Sequence, residues 1–311
     1  MNIILIGGNG FIGKSLCSEL LKNSNNRLTI ISRSKNVEVN TDSIKRIFWD
    51  HKIDPDNFLL HHLMDADYII YLASTTVPAT SIVNPMVEFD QNLLPLIKVL
   101  KVASSLNIKK FIYFSSGGAV YGDEANQPIL ESAPTNPISS YGISKLAAEK
   151  FINLYRKEFG LNSIILRPSN PYGSGQYGNL KQGFMCSIVY SAIHNSEINI
   201  YGGEATVRDY IYIDDLVEAV LGIINFGKIG EIYNIGSGLG LNNLYIFELI
   251  KNIVCTYGYK LNPNFFPKRS FDVGSNILDI SKINADTGWK PQTSVESGVT
   301  KTINKIMDFK L

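Results

Sequence analysis

The sequence predicts a doubly wound α/β fold, a parallel sheet with helices on both faces, followed by a smaller C-terminal α/β region. Three observations predict it. Short β-branched runs alternate with helical patterns through the first half. Several of these runs are apolar on both faces, as strands buried inside a parallel sheet must be. The first run passes straight into a helical pattern through glycines.

Taken in order, residues 3–6 read as the first strand, and a helical pattern follows over 11–22. Residues 28–31, 44–49 and 68–73 read as the next three strands. A long apolar helical stretch at 88–106 leads to a fifth strand at 111–115. The helix expected at 141–159 places Ala147, Phe151, Leu154 and Tyr155 on one face. A sixth strand is expected at 163–166. The second half is less regular. A Pro- and Gly-rich loop at 168–179 precedes helical patterns near 180–195, 214–226 and 243–256. A further loop, 262–276, holds Pro263, Pro267 and Gly274. This divides the chain into a nucleotide-binding domain at 1–168, rejoined by about 207–235, and a substrate-binding cap at 169–206 and 236–311.

The 311 residues are 45% hydrophobic, with 29 basic and 28 acidic side chains. At roughly 150 residues per domain, one or two domains are expected. Such a chain buries a large core without staples, and its apolar content excludes dominant disorder. A net charge of +1 leaves no electrostatic footprint for nucleic acid or for an acidic membrane. Cys17, Cys186 and Cys255 are odd in number and far apart, so neither a disulfide framework nor a zinc site is expected, and no metal. No apolar run approaches the ~18 residues of a membrane span, and the N-terminus has no basic leader. The cytoplasm is the expected location.

Residues 3–13 read IILIGGNGFIG. Gly8, Gly10 and Gly13 match G-x-G-x-x-G, and Gly7, Gly10 and Gly13 match G-x-x-G-x-x-G. One glycine allows a tight turn, one admits a pyrophosphate to the backbone, and one lets the helix pack on the sheet. The helix N-terminus then offers free N–H groups and a positive dipole end. With Phe11 and Ile12, these glycines form the candidate dinucleotide turn of a Rossmann domain. The plainer alternative is a strand, turn and helix without a ligand. After the second strand, an acid would hold the adenosine 2′-hydroxyl of NAD. The chain has Ile30-Ile31-Ser32-Arg33-Ser34 instead. Arg33 suits a 2′-phosphate, which favours NADP(H), with NAD(H) the alternative if Arg33 only stacks on adenine. Asp50, after the third strand, is either an acceptor for the adenine amino group or a solvated loop acid.

Tyr141 and Lys145 stand one helical turn apart on one face. A phenol titrates near ~10, and a nearby cation favours its ionised form and lowers that value. The pair can pass a proton to or from an alcohol oxygen while hydride moves to or from nicotinamide. Ser139-Ser140 opens this helix.

Further motifs are Phe114-Ser115-Ser116-Gly117-Gly118-Ala119-Val120-Tyr121-Gly122, Arg167-Pro168-Ser169-Asn170-Pro171-Tyr172-Gly173 and Arg208-Asp209-Tyr210-Ile211-Tyr212-Ile213-Asp214-Asp215. Leu278-Asp279-Ile280-Ser281-Lys282 leads on to Gly288-Trp289-Lys290-Pro291. With the glycine turn, Tyr141 and Lys145, these make the chain resemble the extended short-chain dehydrogenase/reductases, in the nucleotide-sugar epimerase/dehydratase family. The resemblance spans essentially the whole length. It implies Tyr141 as catalytic acid/base and Lys145 as holder of the nicotinamide ribose. It implies that Asn92 supports the cofactor site, that Ser115 contacts the cofactor, and that Pro168 lies against the nicotinamide. Asn170 and Arg208 would bind a substrate diphosphate, with Arg269 a second diphosphate or nucleoside contact. Guanidinium suits that task through bidentate charge-assisted bonds. An ion pair of Arg208 with Asp209 or Asp214 is the structural alternative. Thr75 and Thr76 face the sugar or cap a turn. The implied partner is a nucleotide-diphosphate sugar, and the implied assembly is a homodimer through a helix bundle; the 88–106 helix is apolar enough to serve, as is a helix packed between sheet and solvent.

Within that resemblance, sugar 4,6-dehydratases carry Thr-Asp-Glu where this chain has Gly117, Gly118 and Ala119. Related decarboxylases carry Glu, and 3,5-epimerase/reductases carry Cys, at the place of Ala119. His51, His61, His62 and His194 match no catalytic position of the family. What remains is chemistry needing only hydride and one proton, namely 4-keto-sugar reduction or 4-epimerisation through a transient ketone. The usual catalytic hydroxyl is replaced by Gly117, so Ser116 is expected to supply it, with Ser115 the weaker candidate. Ser32-Arg33 tilts the expectation to an NADPH-dependent 4-keto-sugar reductase. The alternative is a UDP-sugar 4-epimerase of the galactose type with tightly bound NAD. A non-catalytic NADP-binding regulator is the remote third, and the presence of Tyr141 and Lys145 argues against it. Family habit places either product in surface polysaccharide synthesis.

Overall fold

The computed structural model describes residues 1–33, 44–124, 126–176 and 183–308. Ser34, the end of the expected 168–179 loop and the start of the expected 180–195 helix lie outside the described residues. The chain forms two compact units. The first comprises Met1–Ser116, Ser139–Arg167 and Leu221–Tyr233; the second comprises Gly117–Ile138, Pro168–Val220 and Asn234–Leu311. Residues 117–138, read from the sequence with the nucleotide-binding half, thus belong to the second unit. The chain rejoins the first unit over a shorter stretch than 207–235.

The first unit is built on a sheet containing β1 (Asn2–Ile6), β2 (Arg27–Ser32), β3 (Ile44–Phe48), β4 (Tyr68–Tyr71), β5 (Lys110–Phe114) and β6 (Ser163–Pro168). A seventh strand, β10 (Ile232–Ile235), lies beyond β6, and the order is β10-β6-β5-β4-β1-β2-β3. Pairing is parallel from β3 through to β6. Six strands match the expected ones to within two residues. β10 was not expected, because a four-residue run carries too little periodicity to separate strand from loop. The chain direction switches between β1 and β4, and the crevice at such a switch point is where doubly wound sheets bind ligands.

The helices of this unit are α1 (Phe11–Leu20), α2 (Asp56–Leu63), α3 (Pro78–Ser81), α4 (Met86–Glu88), α5 (Leu94–Ala103) and α7 (Ser140–Phe159), while α6 (Gly117–Val120) opens the second unit. The single helix expected at 88–106 is broken by a π turn at Phe89–Leu93. Pro95 supplies the reason. It stands in the first turn of α5 and has no N–H to continue the ladder into the preceding turn. Ser139 caps α7, its Oγ accepting from Gly142 N at 3.1 Å, and Gly160 closes it in the left-handed region at φ 70°. One face of the sheet, with Ile4, Ile31, Ile69 and Phe111, packs against Leu63, Leu96, Val99 and Ile152 of α2, α5 and α7. Each such side chain contributes about 1.5–3 kcal/mol by burial. Ala147, Phe151 and Tyr155 join that core, but Leu154 is exposed, one residue off the stripe.

In the second unit, β9 (Val207–Tyr212) pairs with β7 (Asn170–Tyr172) and β13 (Ser275–Asn276) in parallel and with β11 (Gly240–Asn242) antiparallel. β8 (Glu197–Tyr201) pairs with β12 (Asn262–Phe266). The stretch read as a loop at 262–276 therefore holds two strands. Pro263 is tolerated because β12 pairs on one side only. The expected helices are α8 (Phe184–His194), α9 (Ile213–Phe226) and α10 (Asn243–Thr256), and α11 (Ser281–Thr287) and α12 (Val295–Asp308) follow. Among the described residues, no helix is long and apolar enough to cross a membrane.

Candidate active site

The glycine turn lies at the carboxyl end of β1. Gly7 has φ +86°, and a Cβ there would sit 2.7 Å from Ala73 Cα. A Cβ on Gly13 would sit 2.5 Å from Gly8 O, so α1 packs against the turn only with glycine. Gly10 is the N-cap of α1, and Phe11 and Ile12 begin the helix behind it. In front of the turn is a cavity of about 1060 Å³, lined among others by Gly7, Gly10, Arg33, Trp49 and Ser74. Its described lining includes the cations Lys14, Arg33 and Arg46 and no carboxylate. Arg46 Nη1 donates to Asn9 Oδ1 at 3.1 Å, and Asn9 Nδ2 donates to Ser32 Oγ at 2.8 Å. Arg33 is exposed and donates to Gln91 Oε1 at 3.2 Å. Asp50 does not line this cavity. Its Oδ1 accepts from Lys52 N at 2.9 Å, which makes it a turn acid, and Trp49 forms the wall instead.

α7 places Tyr141 and Lys145 one turn apart. Ser116, the hydroxyl expected to replace the one missing at Gly117, lies near enough to the Tyr141 hydroxyl to act on its pKa. Lys145 is buried, and its Nζ donates to Phe114 O at 2.9 Å and lies 5.7 Å from the Tyr141 ring centroid. Burial pushes the Tyr141 phenol up to about 12; the Ser116 side chain acts against this and the Glu88 charge adds to it. Desolvation of the phenolate is the largest cause, so the phenol stands above its ordinary value and not below it as expected. Burial lowers Lys145 to about 8, opposed by Glu88 and Glu149. At neutral pH the site thus holds a protonated phenol beside an ammonium.

Two buried carboxylates organise this pair. Glu88 Oε2 accepts from Ser144 Oγ at 2.6 Å and from Asn92 Nδ2 at 2.9 Å. Asn92, in the π turn, also donates to Thr76 Oγ1 at 3.0 Å and accepts from Thr75 N and Thr75 Oγ1, each at 3.0 Å. All four hydrogen-bonding positions of its amide are occupied, so Asn92 supports the site by holding its neighbours. Thr76 is buried against Asn92, which replaces the expected sugar contact with a scaffold role. Glu149 accepts from Arg167 Nε at 3.0 Å and Nη2 at 2.6 Å, and from Ser115 Oγ. Ser115 is buried with its hydroxyl turned to Glu149, so the expected cofactor contact through that group is not formed. Pro168 is buried at the end of β6.

The second unit carries the other candidates. Arg208 Nη1 donates to Val207 O at 2.9 Å and to Gly274 O at 3.4 Å. Burial lowers the pKa of its guanidinium, opposed by Tyr210, Asp272 and Asp123. Asp209 is not its ion-pair partner. Asp209 is fully buried and accepts from Ser237 N at 2.7 Å, Ser237 Oγ at 2.8 Å, Gly238 N at 3.2 Å and Leu278 N at 3.3 Å. Asn170 Nδ2 donates to Asp209 O at 2.9 Å, which brings Asn170 beside β9. Arg269 is already held by Asp272 at 2.7 and 3.0 Å and lies over the Tyr201 ring, so a diphosphate there must share the guanidinium. Among the described residues, no group of three or more His, Cys, Asp or Glu is placed to hold a metal.

Glu88, Arg46, Asp209 and the Glu149–Arg167 pair were not read from the sequence. Only Glu149 left a usable signal, since it lies four residues beyond Lys145 on the same helical face.

The model of the NAD dependent epimerase/dehydratase family matches residues 3–236. The chain belongs to this family. Similar members include a "Putative UDP-glucose 4-epimerase" of Methanocaldococcus jannaschii, 30% identical over 307 residues, covering 97% of each chain. The "dTDP-4-dehydro-6-deoxyglucose reductase" of Escherichia coli is 30% identical over 319 residues, covering 98% of this chain and 97% of its own. The solved UDP-glucose 4-epimerase of Thermotoga maritima, with UDP-glucose, matches at TM-score 0.92 and 29% identity over 100% of both chains. This family member is accordingly an enzyme acting on nucleotide sugars with a nicotinamide dinucleotide. The comparisons support NAD(H) and the epimerase alternative more than the favoured NADPH reductase.

Proposed function

We propose that the chain catalyses 4-epimerisation of a nucleotide-diphosphate sugar through a transient 4-ketone. The observation that carries this reading is the Tyr141 phenol with the buried Lys145 ammonium 5.7 Å from its ring centroid, and only Gly117, Gly118 and Ala119 where dehydration would need acids. The likeness to proteins named UDP-glucose 4-epimerase supports it. A bound dinucleotide would supply the hydride acceptor and donor for C4 and, in its oxidised form, a positive charge. Tyr141, once its own proton has passed to solvent, accepts the C4 hydroxyl proton as the ketone forms and returns it when the alkoxide re-forms. Ser116 orients that exchange, and Lys145 holds the ribose and supplies a cation. Arg208 and Asn170 are the diphosphate contacts of this reading, with Arg269 a second. A cytoplasmic homodimer belongs to the same reading.

The test is incubation with UDP-glucose or UDP-galactose and chromatographic separation of the two. Interconversion without net consumption of dinucleotide supports the proposal, and none at micromolar enzyme refutes it. The second reading, 4-keto-sugar reduction with NADPH, is favoured by one observation, the Ser32-Arg33 end of β2 with no acid. It predicts stoichiometric NADPH oxidation by a 4-keto-6-deoxy nucleotide sugar and no interconversion.

A further inference from the structure

We propose that Ser81 is a positioning residue for Tyr141, a second cap that reaches the start of α7 from outside that helix. The inference rests on reading Tyr141 as the acid/base and holds for either C4 reaction. The first turn of a helix leaves backbone N–H groups without partners inside the helix. In α7, Ser139 Oγ accepts from Gly142 N at 3.1 Å. The N–H of Tyr141 is served from a distant part of the chain, donating to Ser81 Oγ at 3.1 Å. Residues 77–81 read Val-Pro-Ala-Thr-Ser. Pro78 presets the opening turn of α3, and Thr80 Oγ1 accepts from Val77 N at 3.1 Å, so this short helix is fixed by its own side chains. Ser81 ends it, fully buried, and its Oγ donates to Pro78 O at 2.9 Å. A hydroxyl has one hydrogen, and here that hydrogen is engaged inside α3. What faces the Tyr141 N–H is therefore a lone pair, an acceptor held at one angle.

The carbonyl of Tyr141 is tied to the same stretch of chain. Ser144 Oγ donates to Tyr141 O at 2.9 Å and to Glu88 Oε2 at 2.6 Å. Both polar groups of the Tyr141 backbone are thus linked to residues between β4 and α5, one through Ser81 and one through Ser144 and Glu88. Tyr141 is the second residue of α7, in the turn where helices fray. Holding its N–H and C=O fixes the direction of its Cα–Cβ bond, and so the place where the ring begins. Proton transfer needs that precision, because donor and acceptor must meet at about 2.6–3.2 Å. Ser139 already caps the helix, so the added bond from Ser81 falls on the one first-turn residue whose side chain carries the proton.

The test is a double-mutant cycle on the full chain, read as kcat and KM for UDP-galactose at saturating dinucleotide. Ser81→Ala is expected to lower kcat by about 10- to 100-fold, the scale of a misplacement near 1 Å. KM should stay within about twofold, since the bond serves the proton transfer and not the binding of sugar. In a Tyr141→Phe background the same replacement is expected to change the remaining turnover by less than about twofold, because the hydroxyl it positions is gone. A purely structural cap would cost the same factor in both backgrounds. That outcome, an unchanged kcat in Ser81→Ala, or a loss carried by KM overturns the proposal. Ser144→Ala, at a helical position that accepts alanine, repeats the cycle on the other tie should Ser81→Ala fail to fold. Where the turnover is 4-keto-sugar reduction, the cycle is read on NADPH oxidation. If Tyr141→Phe turns over as fast as wild type, the acid/base reading falls and the positioning role with it. If Tyr141→Phe is impaired and the serine variants are not, the acid/base reading stands and only the positioning role fails.

Discussion

Replacing Glu149 by Leu perturbs the most buried ion pair of the first unit. The Glu149 and Arg167 side chains are 2% and 4% exposed, and Nη2 and Oε2 are 2.6 Å apart. Glu149 also accepts from Ser115, so one carboxylate joins α7 to the ends of β5 and β6. Removing it leaves the Arg167 guanidinium buried without its carboxylate, which costs about 3–5 kcal/mol. Loss of the Ser115 acceptor adds about 1 kcal/mol. Against a typical stability of about 5–15 kcal/mol, this is a large fraction. Urea denaturation followed by circular dichroism measures the loss. A double variant, Glu149→Leu with Arg167→Met, removes both charges and is expected to regain most of it, because the desolvation penalty disappears with the pair. A single variant within about 1 kcal/mol of wild type refutes the reasoning. So does a double variant as unstable as the single. The Glu149 charge also acts to raise Lys145, so the single variant should move any activity limit set by Lys145 deprotonation to lower pH.

Tyr141→Phe should lower turnover by about 10²–10⁴-fold, measured as UDP-sugar interconversion, while dinucleotide binding persists. Asn92→Ala removes one hydrogen-bond partner from each of Thr75, Thr76 and Glu88, which keeps Ser144, and should cost about 1–3 kcal/mol by urea denaturation, with dinucleotide affinity falling as the π turn relaxes. Lys145 titrates at about 8 when folded and near its ordinary 10.5 when unfolded, so between those values the unfolded chain binds the extra proton. The contribution of this group to stability therefore rises with pH across that window, and Lys145→Met should lose that rise when denaturation is compared at its two ends.

The sheet was legible because its strands are long apolar runs separated by glycines and amphipathic helices, and because the glycine turn has few uses besides a phosphate. β10 and the pair β12 and β13 were not legible. They are short, and they are stabilised by pairing with strands distant in sequence, a cause that no local pattern records. The break before α5 was written in Pro95, but a single proline near the start of an apolar stretch reads equally well as a first-turn residue. In the candidate site, Tyr141, Lys145 and Ser116 were singled out from spacing and from the family motif, and Tyr141 and Lys145 lie one turn apart on α7. Glu88 and Arg46 were not, because each is an ordinary charged residue whose meaning comes only from what the fold sets against it. The expected roles of Ser115 and Thr76 missed for the converse reason. Their sequence positions suit a cofactor or a sugar, but buried acceptors of the same unit claim their hydroxyls first.

The electrostatics of the Tyr141–Lys145 pair follow from one competition. Burial disfavours charge on both groups, driving the phenol towards its protonated form and the lysine towards its neutral one. The Glu88 charge opposes this for Lys145 and reinforces it for Tyr141, because a negative neighbour favours a cation and disfavours an anion. Glu149 acts on Lys145 in the same sense. The two carboxylates thus keep the ammonium charged, and Glu88 does so while making the phenol a weaker proton donor. Further positive charge beside Tyr141 favours its ionised form, and an oxidised nicotinamide ring would carry charge of that sign. In the proposed cycle this ties proton abstraction from C4 to the presence of a hydride acceptor.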